Sequence, residues 1–130
     1  MKDDAMSESH RPRIVVAGSI NMDLVYRVSR LPQPGETLTG SSFRQVHGGK
    51  GANQAVAASR MGADVRMIGR IGDDAFGAEL LAGLRSETID VSHMKTSVGT
   101  SSGLAVIGVE DSGQNCIAVI PGANGQVRSD

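Results

Sequence analysis

The chain has 130 residues and a formal net charge of −1, from 13 Lys and Arg against 14 Asp and Glu. That length suits one domain with its own core, and 39% hydrophobic against 21% charged residues is a globular balance rather than a disordered one. Near-zero charge and 2% aromatics argue against nucleic acid or a membrane as partner, and the lone Cys116 excludes an internal disulfide and fits a reducing cytoplasm.

Residues 1–12 read as a polar, solvated tail without the apolar stretch of a signal peptide. Ile14-Val15-Val16-Ala17-Gly18 is a β-branched apolar run, the pattern of a strand buried on both faces of a parallel sheet. Leu24 to Val28 predicts a second strand. Leu31-Pro32-Gln33-Pro34-Gly35 predicts a turn, because two prolines and a glycine oppose ladder pairing. Glu36 to Val46 reads as an exposed, half-polar strand. Gly48-Gly49-Lys50-Gly51 is a glycine loop leading into an alanine-rich helix, Ala52 to Met61, that stops at Gly62. Val65 to Ile71 predicts the next strand. Asp73 and Asp74 offer a cap for a helix over Ala75 to Ser86, where Phe76, Leu80, Leu81 and Leu84 recur at helical spacing. A short strand is expected over Val91–Met94. Leu104–Val109 and Asn115–Ile120, around a Gly-containing turn, predict a β-hairpin, with Cys116 as a buried thiol inside it. The chain closes on Pro121-Gly122-Ala123-Asn124-Gly125 and a polar tail. Strand–helix–strand order with short links predicts an α/β fold around a parallel sheet.

Two segments could carry chemistry. Asn21 and Asp23 follow the first strand at its C-terminal end, where open α/β sheets bind ligands. Two residues apart, they project to one side of an extended segment. A carboxylate beside an amide suits a vicinal diol; an Asx turn that satisfies only local backbone is the structural alternative. The second segment is Gly48-Gly49-Lys50-Gly51-Ala52-Asn53, a glycine loop opening a helix. A phosphate-binding P-loop needs Ser or Thr after the lysine, and here Gly51 follows; a dinucleotide fingerprint from Gly49 needs a small residue at Gln54. Lys50 and Asn53 then read as hydrogen-bond groups for a small polar ligand, or the glycines serve the turn alone. His10, His47 and His93 are scattered without ligand spacing, so no metal site is expected.

These segments, in order with Pro34-Gly35-Glu36-Thr37 and Gly69-Arg70-Ile71-Gly72-Asp73-Asp74-Ala75-Phe76-Gly77, resemble the N-terminal part of ribokinases in the PfkB family of carbohydrate kinases. The matching stretch runs from Ile14 to about Asn124. The resemblance implies a ribokinase-like, Rossmann-type parallel sheet, here partial, with a small β-sheet lid built from about residues 24–46 and 103–120. It implies that Asn21 and Asp23 hold ribose hydroxyls and that Gly49, Lys50, Gly51 and Asn53 form a second wall. Ala105 and Ile107 are implied as apolar lid contacts, and the lid as a homodimer interface. For the family it implies ATP, magnesium and a monovalent cation such as potassium, with transfer to the ribose 5-hydroxyl.

The departures are as specific. The family's Gly-Ala-Gly-Asp motif, which carries the catalytic Asp base, has no counterpart, because Gly122-Ala123-Asn124-Gly125 is not it. No catalytic residue, nucleotide site or metal site is expected in residues 13–130. The chain therefore reads as a partial kinase carrying the sugar half and inactive alone. The competing readings are a kinase for another sugar or nucleoside, and a non-catalytic sugar-binding or dimerising remnant.

Overall fold

A computed structural model describes residues 11–129. The expected polar tail lies outside the described residues up to His10, and Arg11 and Pro12 are exposed. In chain order the elements are β1 (Arg13–Ala17), β2 (Asn21–Val28), β3 (Ser42–Gly48), α1 (Lys50–Arg60), β4 (Asp64–Gly72), α2 (Ala75–Ser86), β5 (Asp90–Ser97), β6 (Gly103–Glu110), β7 (Asn115–Ile120) and a short 3-10 helix, Gly122–Gln126.

Two sheets form. One is parallel, in the order β1-β4-β5. The other is mixed, in the order β3-β2-β6-β7, with β2 and β6 parallel and the outer pairs antiparallel. In β4 the alternation is direct: Val65, Met67 and Ile71 are buried while Arg66 points away. Both helices pack on that buried face. Ala52 and Ala55 of α1, small enough for close approach, join Leu80 and Leu84 of α2 in one core with Val65, Met67 and Ile71. Ile20 and the fully buried Met22 belong to the same core, which anchors the base of the mixed sheet to the parallel one. Side chains alternate along β2, so Met22 faces inward while Asn21 and Asp23 share the opposite face.

Four expectations change. β1 is not buried on both faces: it is an edge strand paired only with β4, and Val15 stays 61% exposed. Residues 36–41 are not strand. Glu36 turns back onto the Arg30 guanidinium and the Gln33 N–H, which hold its carboxyl down at about 2. Helix α1 starts at Lys50, two residues early, because Gly49 alone makes the turn at φ 92°. Cys116 is exposed, since β7 is the outer strand of the mixed sheet and all of its residues are exposed.

The expected cap of α2 is present and does more than cap. Asp74 Oδ1 accepts from the Gly77 N–H at 2.9 Å and from Ser102 Oγ at 2.6 Å, and its Oδ2 accepts from the Ser102 N–H at 2.8 Å. Ser102 is fully buried and its Oγ also accepts from the Gly72 N–H. One carboxylate thus ties the start of α2 to the entry of β6. Burial opposes its ionisation, but the hydrogen bonds from Ser102 and Gly77 outweigh burial and hold its pKa below the ordinary Asp value. Stability from this group is present above the unfolded pKa of about 4 and is lost as pH falls through the lower folded value. Asp74→Ala removes a cap worth about 1 kcal/mol and strands the Ser102 donors. We expect a loss of about 2 kcal/mol at pH 7 in urea unfolding, and a weaker acid-side decline in the variant than in the parent chain.

Candidate functional site

The two segments singled out from sequence meet because glycines let backbones touch. A Cβ on Gly51 would lie 2.7 Å from the carbonyl carbon of Gly18 and 2.8 Å from the Ser19 nitrogen. A Cβ on Gly49 would lie 2.7 Å from both Ile20 Cα and the Ser19 oxygen. The Ala52 N–H donates to the Ser19 oxygen at 3.0 Å and closes the junction. The first turn of α1 is thereby pressed onto the link from β1 to β2. Gly49 is the N-cap and supplies no side-chain hydrogen bond, so the helix start is left with its positive dipole end uncapped by any side chain.

Asn21 and Asp23 stand in β2 itself, not in a strand-exit turn. In the mixed sheet, Asp23 is the partner of Val46 on one side and Ala105 on the other, and Asn21 is the partner of Gly48 and Gly103. The Asp23 carboxylate lies over Gly48, where any side chain would collide with it. Among the described residues this carboxylate accepts no hydrogen bond. Partial burial pushes its pKa up from the ordinary Asp value. An ionisable acceptor is therefore held partly buried, with no donor to it among the described residues, near a helix start, an arrangement that fits hydroxyl donors.

The structure brings Asn21, Asp23, Gly49 and Gly51 together. Lys50 is exposed in the first turn of α1. Asn53 is exposed one turn on and lines a groove of about 750 Å³ between α1 and α2, together with His47, Met61 and Gly83. Ala105 is buried on the Asp23 face, and Ile107 is one row further out, beside Val25. One residue escaped the sequence reading. Asn124, within the closing Pro121–Gly125 stretch and given no role there, accepts from the Ile20 N–H at 3.0 Å and donates to the Ile20 oxygen at 3.0 Å and to Asn21 Oδ1 at 2.8 Å. Its proline and glycine neighbours signalled only a turn; no short-range pattern points to a contact 103 residues away. Among the described residues no three His, Cys, Asp or Glu side chains gather to hold a metal ion. No described helix is long and apolar enough to cross a membrane.

Comparison with known proteins fits this geometry. The chain is 48% identical over 120 residues to the ribokinase of Schizosaccharomyces pombe, covering 88% of this chain and 38% of that protein. It is 46% identical over 114 residues to the ribokinase of Bacillus subtilis, covering 88% and 39%. Among solved structures it is similar to the ribokinase of Giardia lamblia, with a TM-score of 0.83 and 39% identity over 91% of this chain and 38% of that one. It is also similar to the Arabidopsis thaliana ribokinase complexed with ribose and ATP, with a TM-score of 0.77 and 32% identity, covering 88% and 37%. The chain spans 38–39% of the length of the two curated relatives. Residues 11–130 match the model for pfkB family carbohydrate kinases, so a parallel sheet, a mixed sheet and a glycine-built helix start belong here to a member of the pfkB carbohydrate kinase family.

Proposed function

We propose that this chain is the sugar-binding part of a ribokinase-type kinase, whose whole protein converts ATP and D-ribose to ADP and ribose 5-phosphate. The observation that carries the reading is the Asp23 carboxylate, partly buried over Gly48 with no donor to it among the described residues, in a chain whose relatives include ribokinases at 45–48% identity. Asp23 accepts hydrogen bonds from sugar hydroxyls and Asn21 bonds the same diol. Gly49, Lys50, Gly51 and Asn53 form the second wall. Ala105 and Ile107 lie against the apolar side of the sugar. Residues 24–46 and 103–120 act as a lid that excludes water from the reacting hydroxyl, and the lid sheet is the homodimer face. The compartment is the cytoplasm.

The phosphoryl donor, its cations and the catalytic base are assigned to the part of such a kinase that this chain does not span, since it covers 38–39% of the two curated relatives. A pocket that pairs several hydroxyls discriminates against sugars lacking one, since a buried polar partner is then left unpaired. A 2-deoxy sugar is the second reading, because Salmonella deoxyribokinases are 40% identical to this chain over 111 residues.

Calorimetric titration of the chain with D-ribose and with 2-deoxyribose tests the proposal. The expected result is 1:1 ribose binding, weaker deoxyribose binding, and no ADP formed when ATP is added. A folded chain that binds neither sugar overturns it.

A further inference from the structure

The hydrogen bonds around Asn124 decide which end of the Asn21 amide is available. An Asn side chain can ordinarily be turned either way, and its neighbours must choose. Here the choice is made by backbone. The Ile20 N–H can only donate, so it must face the Asn124 oxygen, and it does at 3.0 Å. The Ile20 carbonyl can only accept, so it must face the Asn124 nitrogen, again at 3.0 Å. That nitrogen also donates to Asn21 at 2.8 Å, and the atom receiving it must be the Asn21 oxygen. The Asn21 Nδ2, with its donors, is therefore turned away from Asn124. Gly103, the β6 partner of Asn21, is the opening through which the two amides meet, since any side chain there would strike both Asn124 Nδ2 and Asn21 Oδ1.

We propose that Asn124 is a positioning residue that fixes Asn21 as a hydrogen-bond donor to the sugar. The proposal rests on the sugar-binding reading above and gives its diol contact a polarity. Asp23, ionised, can only accept; Asn21, held by Asn124, donates. A hydroxyl satisfies both, because it carries one proton and two lone pairs. The hydroxyl facing Asn21 is recognised through a lone pair and the one facing Asp23 through its proton. A sugar with fluorine in place of the first keeps an acceptor there, whereas fluorine in place of the second confronts a carboxylate.

Two measurements test this. The first needs no sugar: solvent-exchange rates of side-chain amide protons in the 130-residue chain by NMR. Asn124 is expected to exchange at least about 10-fold more slowly than Asn21 and the exposed Asn53, because its protons are engaged. Equal rates at Asn124 and Asn53 overturn the proposal. The second is a double-mutant cycle on D-ribose affinity with Asn124→Asp and Asn21→Ala. The N124D variant keeps an oxygen for the Ile20 N–H but sets a second oxygen against both the Ile20 carbonyl, a penalty common to both backgrounds of the cycle, and Asn21 Oδ1, which turns Asn21. It is expected to weaken ribose binding about 10-fold in the parent chain and less than about 2-fold in the N21A background. Equal weakening in both backgrounds is the signature of general structural damage and overturns the positioning role. If the parent chain binds no ribose, the sugar reading falls and takes the role at the sugar with it. The exchange rates then still decide whether Asn124 holds the Asn21 oxygen.

Discussion

Replacing Asp23 with Ala is expected to weaken D-ribose binding by at least about 100-fold while leaving the chain at least as stable at pH 7. The binding loss follows from hydrogen bonds to a charged acceptor, worth about 1.5–3 kcal/mol each, with two hydroxyls within reach of one carboxylate. The stability expectation follows from the sign of the pKa shift. Burial raises the Asp23 pKa in the folded chain, so the folded state holds that proton more tightly than the unfolded state. The ionised carboxylate therefore costs stability at neutral pH, and the cost fades as pH falls through the folded value. Ribose affinity moves the other way in the same window, because a protonated carboxyl has lost an acceptor. Asp74 has the opposite sign, so acid relieves the fold at Asp23 and undermines it at Asp74. Paired calorimetric titrations and thermal melts of parent and D23A chains check this. Unchanged affinity, or a clear drop in melting temperature, contradicts the role given to Asp23.

Gly49→Ala is expected to cost on the order of 3 kcal/mol and to lower the melting temperature by roughly 10 °C or more. Two penalties coincide there. Gly49 has φ 92° and ψ 130°, a region that residues with a Cβ avoid. Its added methyl would also press on Ile20 Cα, the Ser19 oxygen and the Asn21 nitrogen. None of these is the end of a flexible side chain, so the strand link or the helix start must move. Because Asn21 is one of the groups displaced, ribose affinity is expected to fall along with stability. Gly62→Ala is the control. Gly62 has φ 94° but no heavy atom near its Cβ position, so it pays only the backbone strain. A G49A chain no less stable than G62A would show that the close approach does not shape the site.

Much of the fold was legible where the local pattern and the tertiary demand coincide. Helix α2 has its cap at Asp74 and its core residues at Leu80 and Leu84, and all three do what their spacing implies. The β6–β7 hairpin forms as expected around a turn in which Gly113 takes the positive φ. The glycine loop around Lys50 was readable as the opening of a helix, although the backbone it presses on, Gly18–Asn21, is a tertiary fact. What sequence left hidden was long-range. An apolar run at Ile14–Ala17 states a preference for burial, but whether β1 has neighbours on both sides depends on which strands pair. Cys116 sits among apolar neighbours on an outer strand, and a run of apolar residues does not distinguish an outer strand from an inner one. Glu36 looked like part of a strand because the side chain that captures it, Arg30, lies across a turn. Asn124 needed the whole fold before its contact with Asn21 could exist.

Where a sugar lands on the chain decides whether Asn21 and Asp23 form its site. Backbone amide shifts of the isotopically labelled chain, followed by NMR as D-ribose is added, read this residue by residue. Saturable shifts are expected at Asn21–Asp23, Gly48–Gly51 and Gly103–Ala105, with the groove around Met61 and Gly83 left still. Shifts confined to that groove, or no saturable shift in a folded chain, would contradict this placement.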